Sequence, residues 1–302
     1  MTVQIASSVG PARIEIAYER FGDPSAPPVL LIMGLGAQML GWHDDFCEAL
    51  VAHGLHVVRF DNRDVGLSTH LATAPVPNFF AALAGDLASA SYTLSDMAAD
   101  AVGLLDALGL EAAHIVGASM GGFIAQTMAI EHPARVRSLT SIMSSTGDRT
   151  VGQLAPEAMA MFAAPPVTNR EQATERAVAN FRIIGSPGYP FDAAGVADRA
   201  GRAYDRAFDP LGMMRQAVAV IASGDRTARL RSLGVPALVL HGAEDKMCHV
   251  SGAHATAAAI PGAKLVVFDG MGHDLPRALW SVMVGHIAEV VASGESQRSR
   301  KS

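Results

Sequence analysis

Apolar positions along this chain follow two rhythms. Short β-branched runs alternate with longer stretches in which apolar residues recur every three or four positions, the periods of strands and helices respectively. Ile14 to Phe21 alternates apolar with polar and predicts an early strand. Val29 to Met33 is apolar throughout, as in a strand buried on both faces. Val57 to Phe60, Ala113 to Val116, Ala237 to His241 and Leu265 to Phe268 complete the predicted strands. The clearest helix between them is Ser95 to Leu108, with Ser95 as N-cap and Gly109 as stop. Signals that alternate from end to end predict an α/β protein with a mostly parallel sheet and helices on both faces.

One stretch breaks the alternation. From about residue 147 to 229 the β-rich runs vanish, and Ala, Arg, Met and Glu take over in helical patterns interrupted by Pro165, Pro166, Pro187 and Pro190. This reads as a helical insertion, so the expected organisation is a core over residues 1–146 and 230–293 and a cap over 147–229. The polar residues 294–302 read as a frayed tail. Within the insertion, Met161, Phe162, Phe181, Tyr189, Phe191, Met213 and Met214, with Met143 at its base, suggest an apolar pocket. Taken singly, each has packing as its simpler role.

Composition narrows the field. With 302 residues, half of them apolar, the chain can bury one large core. The net charge of −6 comes from scattered acids, and the absence of a basic stripe argues against nucleic acid as a partner. No leader-like h-region opens the chain and no run reaches about 18 apolar residues, so a soluble cytoplasmic protein without stable membrane insertion is expected. Two cysteines, Cys47 and Cys248, cannot build a disulfide framework or a zinc pair and read as small core residues. His241, His249 and His254 match no metal-ligand spacing, and no metal is expected. Nothing in the chain signals an oligomeric state.

Chemistry concentrates at "IVGASMGGFIAQ", residues 115–126. In a chain with 29 glycines a G-x-S-x-G is weak by itself, but here a strand signal precedes it and a helix signal follows. A serine on so tight a turn stands clear of the sheet as a nucleophile. Gly117 and Gly121 leave room for the crossing elements, and the N–H of Met120 points to where an oxyanion would form. "VPALVLHGAEDKMC" then offers Asp245 after a strand, and "AKLVVFDGMGHDLP" offers His273 after the last one. Their chain order, serine, acid, histidine, suits a triad in which His273 is the base and Asp245 orients it. Glu244 and Asp148 are weaker candidates for the acid, and Asp274 reads as a helix N-cap. In "LIMGLGAQMLGW", Gly34 and Gly36 allow close approach of the backbone, and the N–H of Leu35 is the expected partner of that of Met120. In "FDNRDVGLST", Asp61 and Arg63 read as buttresses of a charged turn.

Taken in order, "MGLG", "DNRDVGLS", "GASMG", "GAEDKMC" and "GMGH" resemble the α/β-hydrolase superfamily over nearly the whole chain. "LIMGLGAQMLGW", "DNRDVGLST" and "GMGHDLP" look closest to the branch of aclacinomycin methylesterase and the mycobacterial lipase-esterases. That resemblance implies the α/β-hydrolase fold, a small-molecule carboxylic ester as substrate, methyl esters of polyketides included, and neither metal nor organic cofactor. Asp64 stands where the family usually has glycine, and Cys248 and His249 where a proline is usual. Met33 replaces a common histidine, as it does in the methylesterase branch. The same constellation also serves C–C bond hydrolases, perhydrolases, thioesterases and lactonases. A slow-turnover ligand receptor of the same fold is a further alternative.

Overall fold

The computed structural model describes residues 2–300. In chain order the elements are β1 (Gln4–Val9), β2 (Ile14–Phe21), β3 (Pro28–Ile32), α1 (Asp44–Val51), β4 (His56–Phe60), α2 (Phe79–Leu83) and α3 (Leu94–Ala107). Then come β5 (Ala113–Ala118), α4 (Met120–Glu131), β6 (Val136–Ile142), α5 (Pro156–Met161), α6 (Arg170–Ile184), α7 (Ala193–Arg206), α8 (Pro210–Ser223) and α9 (Thr227–Leu230). The chain closes with β7 (Ala237–Gly242), α10 (Ser251–Ala259), β8 (Lys264–Phe268) and α11 (Trp280–Ser299).

The strands form one sheet in the order β1-β2-β4-β3-β5-β6-β7-β8. β1 with β2 and β2 with β4 are antiparallel, and all later pairs are parallel. The continuous apolar run of β3 now has its reason. Side chains alternate faces along a strand, so Leu30 and Ile32 join α3 and α4 in one core, while Val29 and Leu31 join α1 and α11 in the other. Both faces are dry, and an apolar residue is needed at every position.

Strand order positions the chemistry. The chain goes outward from β3 to β4 and then returns to place β5 on the other side of β3, so the carboxyl ends of β3 and β5 open a crevice at this reversal. Ile32 pairs with Gly117 in register, and the loops that follow these two residues emerge side by side. Helices α5 to α9 all lie between the neighbouring parallel strands β6 and β7, so the insertion rises from the same edge.

The polar strands β1, "QIASSV", and β6, "VRSLTSI", escape the hydrophobic pattern. In β6 two of the buried hydroxyls are satisfied laterally: Ser138 Oγ lies 2.8 Å from His114 Nδ1, and Ser141 Oγ accepts from Gln126 at 3.1 Å. Helix α3 starts one residue earlier than expected. Thr93, not Ser95, is its N-cap, because a reciprocal box with Asp96 holds it, while the Ser95 hydroxyl turns to Glu131. The segment from Gly294, expected as a frayed tail, continues α11 to Ser299. Glu295 holds it to His114 and Arg137, and Gln297 donates to Gly234 O. Lys301 and Ser302 lie outside the described residues. Among the described residues no helix is long and apolar enough to cross a membrane.

Candidate active site

Between β5 and α4 there is one residue, Ser119. Turning a strand into a helix in so short a span drives it to φ 55, ψ −122, a conformation that costs a non-glycine residue roughly 1–3 kcal/mol. The surroundings hold it there. Its N–H donates to Ile142 O at 2.8 Å, and the Ser144 hydroxyl lies 2.6 Å from Ser119 O. The flanking glycines are required by space: a Cβ on Gly117 would stand 2.0 Å from Gly121 O, and one on Gly121 would stand 2.1 Å from Ile32 O.

Two later strands deliver the partners. The turn after β7 presents Asp245 and the loop after β8 presents His273. His273 Nε2 lies 2.9 Å from Ser119 Oγ, and its Nδ1 lies 2.7 Å from Asp245 Oδ2. The other Asp245 oxygen accepts from Met247 N–H at 2.9 Å and Cys248 N–H at 2.8 Å, which keeps the carboxylate aimed at the ring. Burial pushes the Asp245 carboxyl up, but the charge and hydrogen bond of His273, with His241 and the Cys248 N–H, outweigh it and hold it below the usual range. An ionised carboxylate can only accept, so Nδ1 carries the proton and Nε2 offers its lone pair to the serine.

His241, fully buried at the end of β7, adds to this electrostatic setting. Its Nε2 lies 2.7 Å from Cys248 O and 3.4 Å from Asp245 Oδ2. A carbonyl oxygen accepts only, so Nε2 bears the proton, and burial keeps the ring neutral by lowering its pKa. Cys248, where the resemblance suggested proline, uses its N–H on Asp245 and is buried, so the departure brings the acid an extra donor. Asp274 is not the N-cap expected of it. It pairs with the Ser186 hydroxyl of the insertion, and burial raises its carboxyl. The loop carrying His273 is also tied to the insertion by His273 N–H to Ile184 O at 2.6 Å and Gly272 N–H to Ser186 Oγ at 2.9 Å. Glu244 is exposed, and Asp148 is occupied by Thr150.

The loop after β3 closes against the serine. A Cβ on Gly34 would stand 3.0 Å from Ser119 Cβ and 3.2 Å from Ala118 O, so glycine lets the loop come this near without pushing its neighbours aside. Ala37 N–H donates to Gly34 O at 3.2 Å, which makes Leu35 and Gly36 the corner of a β-turn. On the other side Met120 opens α4, and the first N–H groups of a helix have no carbonyl ahead of them. Two backbone segments with spare donors therefore flank the serine hydroxyl.

The charged turn beneath this loop is a built support. Asp61 accepts Met39 N–H at 2.7 Å and Leu67 N–H at 3.0 Å, and Arg63 clasps Asp100 through two nitrogens. Asp64 sits at φ 69, the kind of position where a glycine is expected. Its buried carboxylate is held by Tyr92 OH at 2.7 Å and by two Arg215 nitrogens at 2.8 and 2.9 Å. Asp64, His70 and Asp209 cluster here, with the Arg215 guanidinium bridging the two carboxylates. The insertion's apolar residues have divided roles. Phe162 stacks on Phe79 at 4.6 Å, Phe191 lies at the surface under Arg182, and Met213 packs on Gly36. Arg215 and Gln216, which anchor α8 to the turn, were not singled out by sequence, although a charged and an amide residue inside "MMRQAVAVIA" are the signal that marked them.

Comparison with known proteins adds four matches. The sequence profile of the alpha/beta hydrolase fold family matches residues 27–276. The rhodomycin D methylesterase DnrP of Streptomyces peucetius is 31% identical over 86% of this chain and 89% of its own length. Among solved structures, the esterase RhEst1 from Rhodococcus sp. ECU1013 aligns with TM-score 0.71 at 20% identity, covering 97% of this chain and 99% of that one. The enol-lactonase from Burkholderia xenovorans LB400 aligns with TM-score 0.69 at 22% identity over 92% and 97%. At these identities the two structures speak for the fold alone.

Proposed function

The chain belongs to the α/β-hydrolase family and is an esterase-type hydrolase, and from that premise we propose that it cleaves carboxylic esters through an acyl-enzyme on Ser119. The observation that carries the reading is one imidazole, His273, within hydrogen-bond distance of both the serine hydroxyl and a buried carboxylate. Ser119 Oγ attacks the ester carbonyl carbon while its proton passes to His273 Nε2. The carbonyl π electrons move to oxygen, and the N–H groups of Leu35 and Met120 hold that oxyanion. Collapse of the tetrahedral intermediate breaks the bond to the leaving alkoxide, which departs as alcohol with the proton from His273. Water, deprotonated by the same nitrogen, then releases the acid and restores the serine. Asp245 stays ionised and steadies the imidazolium in both halves.

Helices α5 to α8, inserted between β6 and β7, serve as the cap of this site and fall within the expected cap residues 147–229, with core residues 1–146 and 230–293 on either side; the short α9 (Thr227–Leu230) straddles the boundary and packs Leu230 into the core. The substrate is a methyl ester or another lipophilic ester. Similarity to a rhodomycin D methylesterase over most of both chains favours it, as does the thioether side chain of Met213 packed on the turn beside Ser119.

The test is hydrolysis of p-nitrophenyl esters from acetate to long acyl chains, beside methyl esters, by wild type and Ser119→Ala. Loss of turnover by several orders of magnitude in the variant is expected. Equal turnover in a folded Ser119→Ala protein defeats the assignment, a preference for thioesters over every oxygen ester redirects it to another bond, and a preference for lactones narrows it to cyclic esters.

A further inference from the structure

Building on the serine reading above, we infer that Gln216, in the cap helix α8, is a positioning residue for the oxyanion-binding turn. Gln216 has no solvent exposure. Its Oε1 accepts from Gly36 N–H at 2.8 Å, and its Nε2 donates to Arg63 O at 2.7 Å. The first partner can only donate and the second can only accept, so the amide has one orientation and no spare freedom. Met213, one helical turn earlier on the same face, lies against the same glycine: a Cβ on Gly36 would stand 2.5 Å from Met213 Cγ.

The consequence follows from the turn. Gly36 has φ 66, a positive value that puts it at the third position of a type II-like turn. Such a turn differs from its type I counterpart by rotation of the central peptide, here that between Leu35 and Gly36. Gln216 grips the N–H of that very peptide and ties it, through Arg63 O, to the charged support below. Leu35 shares its Cα between the gripped peptide and the one that carries its own N–H. With Gln216 in place the Leu35 N–H is held toward Ser119. Without it, the turn loses the bond that selects one of its two forms, and the half-buried Gly36 N–H loses this acceptor. Docking of α8 is therefore a condition for transition-state stabilisation in the core, although α8 contributes no group to the triad.

Gln216→Met, of similar length and without polar atoms, tests this against Gln38→Met as a structural comparator. Gln38 also ties the loop to the insertion, through Ala203 O at 2.8 Å and Ala207 O at 3.0 Å, but touches neither peptide of the corner. For wild type, Ser119→Ala and both variants, kcat and KM are measured on p-nitrophenyl butyrate, with Ki for the matching propyl trifluoromethyl ketone. Losing one oxyanion donor costs about 10²–10³ in kcat, and losing its alignment is expected to cost about tenfold to a hundredfold. In Gln216→Met, kcat falls by that factor with KM nearly unchanged. The ketone, which adds to the serine and develops the same oxyanion, weakens in parallel, and the pH profile keeps its shape. Gln38→Met shifts Tm without that parallel loss. Gln216→Asn, one methylene too short to span the gap, carries the same prediction should Gln216→Met not fold. A kcat and ketone Ki close to wild type in a folded Gln216 variant, or an equal loss in Gln38→Met, overturns the inference. If Ser119→Ala is as active as wild type, the serine reading itself fails and this inference goes with it.

Discussion

Replacing Gly121 by alanine adds one methyl group where the structure leaves none, and its effect can be worked out in advance. The new Cβ would lie 2.1 Å from Ile32 O, with Ile32 C at 2.7 Å and Met33 O at 2.9 Å. Real Cβ contacts essentially never fall under 3.0 Å, so a gap of about 1 Å must open. The obstacle is backbone of the central strand β3, which is paired on both sides, so α4 is the element that moves. Met120 and Ser119 sit at the moving end. A 1 Å misplacement of reacting groups is enough to cost on the order of 10²-fold in kcat. Overpacking of this size destabilises by about 1–3 kcal/mol. With an unfolding entropy of about 2.1 cal/mol/K per residue, that lowers Tm by about 2–5 °C. Gly285, in the middle of α11 with nothing within 4 Å of its Cβ position, supplies the control. The same substitution there removes a helix-interior glycine and should stabilise by about 0.5–1 kcal/mol with no effect on turnover. The assay is kcat on p-nitrophenyl butyrate beside thermal unfolding for the two variants. A Gly121→Ala enzyme within about threefold of wild-type kcat and with unchanged Tm would refute the argument that this glycine sets the serine's position.

Two further outcomes follow from buried charge. Asp64→Ala removes one of the two carboxylates on buried Arg215 and the acceptor of the buried Tyr92 hydroxyl, and should destabilise by about 3–5 kcal/mol, the usual cost of breaking a buried ion pair. Urea unfolding showing less than about 1 kcal/mol would mean that Asp209 alone satisfies the guanidinium. His114 carries an acid sensitivity. Burial lowers its pKa to about 4 against an ordinary 6.5, the Glu295 carboxylate partly opposing this. Below pH 6.5 the unfolded chain binds a proton that the folded one refuses, so this contribution is full above 6.5 and declines as pH falls toward about 4. His43, also lowered to about 4, by burial and Arg199, acts in the same window. Stability of His114→Gln should therefore fall less steeply than wild type between those limits, and parallel curves would remove His114 from the account.

How much of this was legible in advance depended on the kind of signal. The six predicted strands all occur: five announce themselves as apolar runs, because a strand flanked by helices on both faces must be apolar at nearly every position, and Ile14–Phe21 by alternation. β1 and β6 escape the apolar pattern for different reasons: the polar side chains of β1 lie exposed at the sheet edge, whereas β6 buries Ser138 and Ser141 against partners distant in sequence, His114 and Gln126. Ser119, Asp245 and His273 could be nominated because each follows a recognisable strand, and parallel strands deliver their carboxyl ends to one edge. The cap of α3 and the end of α11 were misplaced, because a capping box and the ties of Glu295 are decided by side-chain partners rather than by composition.

The alternating architecture, the glycine-flanked serine and the chain order of its partners are written in the order of residues, since all are local or periodic properties. Packing in three dimensions is what lets Asp64 adopt a glycine's conformation, sets His241 beside Asp245, and brings Gln216 onto the turn after β3. Each is a contact between groups far apart in the chain, and such contacts leave no periodic trace because their geometry exists only once the strands are in order.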